Sequence, residues 1–351
     1  MRVGFVVPVY NGSRFLRDTL ESIVMAMAEE DVLAVVDDGS TDSSLEVARC
    51  FAAAHPGRAI HVLSQQNQGV SAARNLGARA VLGLGAQALW FVDQDDLVVA
   101  EGVSSLRRQL ARNPSAPFVA GQWLELHPDG SLRQPGYWMS RGPEYAMHYG
   151  LRLERIAPRE LFYCCPVPSP GCVLVRGKAF ELVGGFDADR RYVEDHDLWM
   201  RLVATGDGAR CEALALHYRF HEGNTTKRFN LGSQLRSRFT ARLSGLRAIR
   251  AFRSESLRDA TLGFRDACFQ MAGTRFRLGA ESLRRGSLRI AAVQLGAAVC
   301  LGAGAGLLSM AATWPALLTP IIRRTDRERL GVPGHGEVER LGGQAKEHAD
   351  S

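Results

Sequence analysis

The chain has 351 residues, 46% of them hydrophobic and 23% charged, enough for one large or two ordinary domains with ample core, which excludes disorder as the dominant state. Seven cysteines lie scattered without a CxxC pair, which argues against a disulfide framework or a zinc cluster and for a reducing compartment. The 43 basic and 37 acidic residues leave +6, too mild an excess for a nucleic-acid-binding domain, while anionic ligands or an anionic lipid surface stay open as partners.

The opening apolar run Val3–Val9 reads as a buried first strand. It contains Pro8, passes directly into the polar turn Asn11-Gly12-Ser13 and has no small-residue cleavage site, so no secretory leader is expected. From residue 3 to about 122, short apolar runs alternate with stretches of helical period, the pattern of a parallel sheet wrapped by helices. Strands are predicted at Val3–Val9, Val32–Asp37, Ala59–Leu63, Ala88–Val92 and Phe118–Gly121. Helices fall between them, with start signals at Ser13, at Ser40-Thr41-Asp42-Ser43 and near Gly69-Val70-Ser71. Residues 123 to about 170 are rich in proline and aromatics and read as an irregular insertion that lines or covers a pocket. Order returns with a strand to Val175, a helix around Ala179–Val183, a second helix from Glu194 to Ala204 and a strand near Ala213–Leu216. A first domain is expected over 1–225.

The segment from Arg228 to about Ser287 interleaves arginines with apolar residues at helical spacing. An uncharged stretch follows over residues 290–322, long enough for a span but broken by Gly302, Gly304, Gly306, Pro315 and Pro320. It reads either as a packed or interfacial helical pair or as a membrane span, and the flanking arginines suit anionic headgroups in both cases. The organisation expected is therefore a helical, partly apolar extension over 226–330 and a disordered tail over 331–351.

Four clusters at predicted element ends carry chemistry. In Pro8-Val9-Tyr10-Asn11, Tyr10 offers a planar face to a nucleobase, though a plain turn explains the string as well. In Val36-Asp37-Asp38-Gly39-Ser40, one carboxylate suffices to cap a helix, and the second can accept hydrogen bonds from a base or ribose. In Phe91-Val92-Asp93-Gln94-Asp95-Asp96, three carboxylates within four residues call for a cation unless the loop is simply solvated. Oxygen ligands select Mg²⁺ or Mn²⁺ shared with a diphosphate. In Val193-Glu194-Asp195-His196-Asp197, the acidic first turn exceeds what capping needs, and one carboxylate can serve as general base.

The strings VGFVVPVYNGSRFLRDTLESI (3–23), VVDDGSTD (35–42), NQGVSAARNLGARAV (67–81), LWFVDQDDL (89–97), GGFD (184–187) and VEDHDLWMRLVATG (193–206) together resemble a family-2 glycosyltransferase. The resemblance covers about residues 1–225. It implies an α/β GT-A nucleotide-diphospho-sugar transferase fold, a Rossmann-like mixed sheet flanked by helices, here with a C-terminal α-helical extension. It further implies inverting transfer of a sugar from a nucleotide-diphosphate-sugar to an acceptor hydroxyl with a divalent cation, Mn²⁺ or Mg²⁺. Carried over by position, it puts the donor on Pro8, Tyr10, Asp38, Arg74 and Asp93, the metal on Asp95 and Asp96, the catalytic base on Asp195 and the acceptor side on Glu194 and His196. Residue 196 departs from the family's usual Trp or Tyr. The run Tyr218-Arg219-Phe220-His221 resembles the family's basic loop near the diphosphate, although His196, His217 and His221 are assigned no metal role. The expected setting is cytoplasmic, at the inner face of a membrane if 290–322 binds lipid, with a glycan or lipid-linked acceptor of cell-envelope or polysaccharide synthesis.

Two other classes were weighed. A dinucleotide-dependent oxidoreductase lacks its GxGxxG fingerprint after the first strand, where Val9 to Arg14 holds one glycine. A catalytically inactive, glycosyltransferase-like scaffold subunit would have no physical reason to keep Asp38, Asp93, Asp95 and Asp195 together.

Overall fold

All seven residues of β1 (Val3–Val9) are buried, as are all six of β2 (Val32–Asp37) and all four of β4 (Ala88–Phe91). Strands covered on both faces must be apolar throughout, which is why these segments read as unbroken hydrophobic runs. In this computed structural model, the residues described are 1–134, 155–164, 167, 169–190, 192–224, 231–262, 264–266, 268 and 272. β3 (Ala59–Ser64) is parallel to β2, and β2 and β4 flank β1, also parallel. Helices α1 (Ser13–Ala26), α2 (Ser44–Ala54) and α3 (Val70–Gly83) make the crossovers. α1 turns Leu16, Leu20 and Ile23 inward at helical spacing.

The chain then leaves simple alternation. β5 (Leu97–Val98), α4 (Ala100–Arg112), β6 (Phe118–Leu126), β7 (Leu132–Arg133), β8 (Arg155–Ile156), α5 (Pro158–Cys164), β9 (Val173–Arg176), α6 (Gly177–Leu182), α7 (Glu194–Leu202), β10 (Gly208–Arg219) and α8 (Leu231–Phe252) follow in order. The sheet order is β3-β2-β1-β4-β9-β6-β10-β5, with β7 beside β6 and β8 beside β10. β9 is antiparallel to both β4 and β6, and β10 is parallel to β6, so β1, β2, β4, β6 and β10 all point the same way.

β1 runs to Val9 as predicted, through Pro8 paired with Val36, while several other expectations need correcting. Alternate residues of a parallel strand bond to opposite neighbours, and Pro8 shares the side of Val6, where pairing with β4 has already ended at Phe91. Its missing N–H therefore costs no ladder bond. β6 continues five residues past Gly121 into the expected insertion, because Gln122 to Leu126 pair with the long, bulged β10. The helix starts are capped across loops: Asp42 accepts from Ser44 N at 3.0 Å and from Ser13 N at 3.1 Å, so one carboxylate serves both α2 and α1. The core also crosses the boundary drawn at 225. Ala241, Leu246 and Ile249 of α8 are buried with the rest, and Arg242 Nε donates to Phe162 O of α5 at 2.6 Å. Among the described residues, no helix is long and apolar enough to cross a membrane. The stretch 290–322, the tail 331–351 and residues 135–154 of the aromatic insertion lie outside them.

α3 sits close on β1 and β2 at Gly77, where a Cβ would stand 2.4 Å from Val6 Cγ1 and 3.1 Å from Val36 Cγ2. Gly77→Ala should therefore destabilise by about 1–3 kcal/mol in urea unfolding. Gly83→Ala, which meets nothing within 4 Å, should be neutral or gain about 0.4–1 kcal/mol. Equal effects of the two would contradict this packing.

Candidate active site

The parallel strands deliver their following loops to one edge, the place where open α/β sheets bind ligands. Tyr10, just after β1, is 48% exposed and free to present its ring. Its backbone is gripped by Gln94: Tyr10 N donates to Oε1 at 2.8 Å and Tyr10 O accepts from Nε2 at 3.2 Å. Gln94 thus ties the loop after β1 to the acidic loop, a role that the sequence alone did not reveal. Asp38, after β2, is buried and accepts from Gln65 Nε2 (2.7 Å), Gln68 N (2.9 Å) and Gly69 N (2.8 Å), which anchors the turn entering α3. Gly39 beside it has φ +75°, and a Cβ there would lie 2.8 Å from Asn67 N.

The acidic loop after β4 divides its three carboxylates. Asp93 Oδ1 is 2.6 Å from Arg74 Nη2. Asp95 Oδ2 is 2.7 Å from His221 Nε2, while Arg219 Nε donates to Asp95 O at 2.8 Å. β5 explains this meeting: it leaves the acidic loop and pairs with β10 at Leu97↔His217, so the loop lies against the residues that end β10. His221 has no metal role in the sequence reading, where it belongs to the Tyr218–His221 run that resembles the family's basic loop near the diphosphate. Asp96, expected beside Asp95 as a metal ligand, is instead fully buried. Its Oδ1 accepts from Arg219 N at 3.0 Å, and Oδ2 has no partner among the described residues. Burial, then Asp95 and Asp93, push its pKa well above the usual carboxylate value, and through Oδ1 it holds the end of β10.

The donor set fits a hard divalent cation. Burial first, then Asp93, raises the pKa of Asp95, with His221 opposing, so a positive charge here would relieve a real repulsion. Asp93 and Asp95 each commit one oxygen to an ion pair, and both ring nitrogens of His221 are engaged, Nε2 with Asp95 and Nδ1 accepting from Gly223 N. Among the described residues, no group of three or more His, Cys, Asp or Glu could by itself hold a metal ion.

α7 brings the fourth cluster. Val193, which precedes it, has φ +62° and ψ 27°, a left-handed conformation costly for a β-branched residue. Glu194 Oε1 is 2.9 Å from Arg74 Nη1, which occupies it inside the protein rather than on the acceptor side where it was expected. Asp197 is fully buried between Arg201 (2.8 Å) and Arg190 (3.2 Å). His196 also departs from the acceptor role. It is buried, with Nε2 3.4 Å from Leu161 O, and burial followed by Arg242 and Arg238 holds its pKa well below the imidazole range, so it is a neutral core group. Asp195 is left half-buried and, among the described residues, without an ion pair, its Oδ1 accepting from His196 N at 2.6 Å. Burial, then Glu194, raises its pKa to about 7 against the opposing pull of Arg74. Arg74 itself is only 3% exposed, and Asp93 and Glu194 outweigh its burial to keep it charged.

The sequence profile described as Glycosyl transferase family 2 matches residues 5–184. Among curated proteins, the chain is similar to the glycosyltransferase GlyA of Streptococcus pneumoniae serotype 4, 35% identical over 126 residues, which is 36% of this chain and 17% of GlyA. The chain spans half or less of the length of GlyA and of the next two curated relatives. Among solved structures, it is similar to S. aureus TarS 1–349 in complex with UDP-GlcNAc, with TM-score 0.57 at 13% identity over 84% of this chain and 91% of that one. It is also similar to the mannosyltransferase PcManGT from Pyrobaculum calidifontis in complex with GDP-Man and Mn²⁺, with TM-score 0.52 at 18% identity over 94% and 83%. These likenesses show a shared GT-A fold.

A carboxyl raised to about 7 keeps its proton in the native state at pH values where the unfolded chain, near 3.8, has lost it. Stability from this group is thus present at low pH and lost as pH rises toward 7. Asp195→Asn should accordingly raise Tm more at pH 8 than at pH 5, by about 2–4 °C per kcal/mol relieved, with the gain vanishing only as pH falls below the unfolded value near 3.8. An equal shift at both pH values would contradict the raised pKa.

Proposed function

We propose that this chain, which belongs to glycosyl transferase family 2, transfers a sugar from a nucleotide-diphosphate-sugar to an acceptor hydroxyl with inversion at the anomeric carbon. The observation that carries the reading is Asp195: of three carboxylates in the first turn of α7, it alone lacks an ion pair among the described residues. A base with pKa near 7 accepts a proton at neutral pH without being inert through excess acidity.

In this reading Tyr10 stacks on the nucleobase, and Pro8 and Asp38 shape the floor beneath it. Asp93 and Asp95, with His221 beside them, would hold a Mn²⁺ or Mg²⁺ ion, and such an ion would neutralise charge on the departing diphosphate. Asp195 takes the proton from the acceptor hydroxyl as its oxygen bonds to the anomeric carbon on the face opposite the diphosphate. The carbon–oxygen bond to the diphosphate breaks in the same displacement, which inverts the anomer. Donor complexes of TarS and PcManGT support the donor class, and the Mn²⁺ of PcManGT supports the ion. The Arg-flanked uncharged stretch 290–322 supports a cytoplasmic enzyme that meets a glycan or lipid-linked acceptor of envelope or polysaccharide synthesis at an anionic membrane face.

Screening nucleotide sugars with Mn²⁺ should identify a donor that is turned over. With it, Asp195→Asn should lower transfer by about 10²–10⁴ and leave UDP or GDP binding nearly intact. Retention of the donor's anomeric configuration in the product, read by NMR, would overturn the mechanism. Asp95→Asn and chelator should each abolish turnover in folded protein. Full activity in excess chelator would remove the ion from the scheme. The full chain should sediment with anionic liposomes and release as salt rises, whereas no binding to such liposomes would separate the enzyme from a lipid surface.

A further inference from the structure

Arg74 joins three segments far apart in sequence. It projects from α3, and its two terminal nitrogens reach Asp93 after β4 and Glu194 at the start of α7. The next residue, Asn75, grips the same downstream segment: its Nδ2 donates to Phe186 O at 2.8 Å, and its Oδ1 accepts from Phe186 N at 2.9 Å. The Arg74 guanidinium also lies 5.1 Å from the Phe186 ring centre. Between these grips lies Val193 in its left-handed conformation. Strain of that kind persists only where neighbouring contacts over-determine the backbone. The tie on Glu194, the very next residue, is such a contact.

We propose that Arg74 is a positioning residue for Asp195: by clamping Glu194 to Asp93 with one planar guanidinium, it holds the strained entry to α7 and fixes the base relative to the donor diphosphate. The proposal rests on Asp195 being the base. A guanidinium suits the task because its fork carries two directed N–H groups to two separate carboxylates, whereas a lysine ammonium is a point charge on a flexible stem. Without the clamp, Glu194 and Asp93 would face each other and Asp195 uncompensated. Arg74 would then matter to the chemical step more than to donor affinity.

The test uses the full chain with the nucleotide sugar it turns over, and UDP or GDP with Mn²⁺ as the binding probe. Glu194→Gln and Arg74→Lys should each lower kcat by up to about 10²-fold, with donor KM and probe Kd changed less than about threefold. The double variant should lose no more than the worse single one, because both break one unit. Amide hydrogen exchange over 193–198 should speed up by about tenfold in Glu194→Gln while the global unfolding midpoint holds. Val193→Gly should raise the midpoint and lower kcat. If Arg74→Lys fails to fold, Glu194→Gln and Val193→Gly carry the test. Glu194→Gln with wild-type kcat and unchanged exchange overturns the proposal, as does Arg74→Lys with raised donor KM and intact kcat. If Asp195→Asn itself stays active, the base reading has failed, and the exchange measurement still reports whether the clamp holds α7.

Discussion

Mutual repulsion among carboxylates is the constraint around which this site is arranged. One sheet edge collects Asp38, Asp93, Asp95, Asp96, Glu194, Asp195 and Asp197, and no such group can be withdrawn from water without a compensating partner or a proton. The fold answers each differently. Asp38 is met by amide hydrogens of the turn into α3. Asp93 and Glu194 share Arg74, Asp95 takes His221, and Asp197 takes Arg201 and Arg190. Asp96 is fully buried and bonded to Arg219 N, with burial pushing its pKa upward. Only after these assignments does Asp195 stand out as the carboxylate of the first turn of α7 without an ion pair among the described residues. Chemistry here is what remains when structural demands have been met.

The same logic explains why the arrangement needs so many strands. A carboxylate after β4 and an imidazole after β10 can meet because both strands point the same way and β5 ties the acidic loop to β10. The short antiparallel pairing Leu216↔Val98 and His217↔Leu97 is small in area. It nonetheless decides where Asp95 and Asp96 are presented. Arg219 makes the junction rigid, with its backbone N on Asp96, its Nε on Asp95 O and its guanidinium 4.7 Å from the Phe15 ring centre.

β1, β2 and β4 were legible because each is an apolar run closed by a polar string, while β3 carries His61 within its run, and Val3–Val9 and Val32–Asp37 agree to the residue. β6 and β10 were read short because Gln122, Glu125, Arg210 and Glu212 break the apolar run. Those positions belong to strands held by pairing with each other, a long-range fact that no local window carries. Among site residues, the acidic strings located the right loops, since repulsive clusters are conspicuous in sequence. Which oxygen meets which partner was not legible. Asp95 and Asp96 are adjacent and chemically identical, and only the path of β5 turns one toward the cleft and the other inward. His196 looked available beside a base. The helix period that sets Asp195 at the cleft rotates its neighbour against α5, where burial keeps it neutral.

The place of β9 has a consequence for how the chain is made. Val173–Arg176 is the antiparallel filler between β4 and β6, yet it is synthesised after both. Until it emerges from the ribosome, β1 to β4 can assemble into a parallel half-sheet whose outer strand, Ala88–Phe91, shows an unpaired and wholly apolar edge. Such an edge is a template for pairing with other chains. The nascent protein must therefore carry its most adhesive segment uncovered through the synthesis of α4, β6 and the whole aromatic insertion. Closure of the sheet is a late, non-local event of the kind that folds slowly. An enzyme built this way depends on shielding during its own birth, whether by the ribosome surface or by a holding chaperone, more than its finished core would suggest.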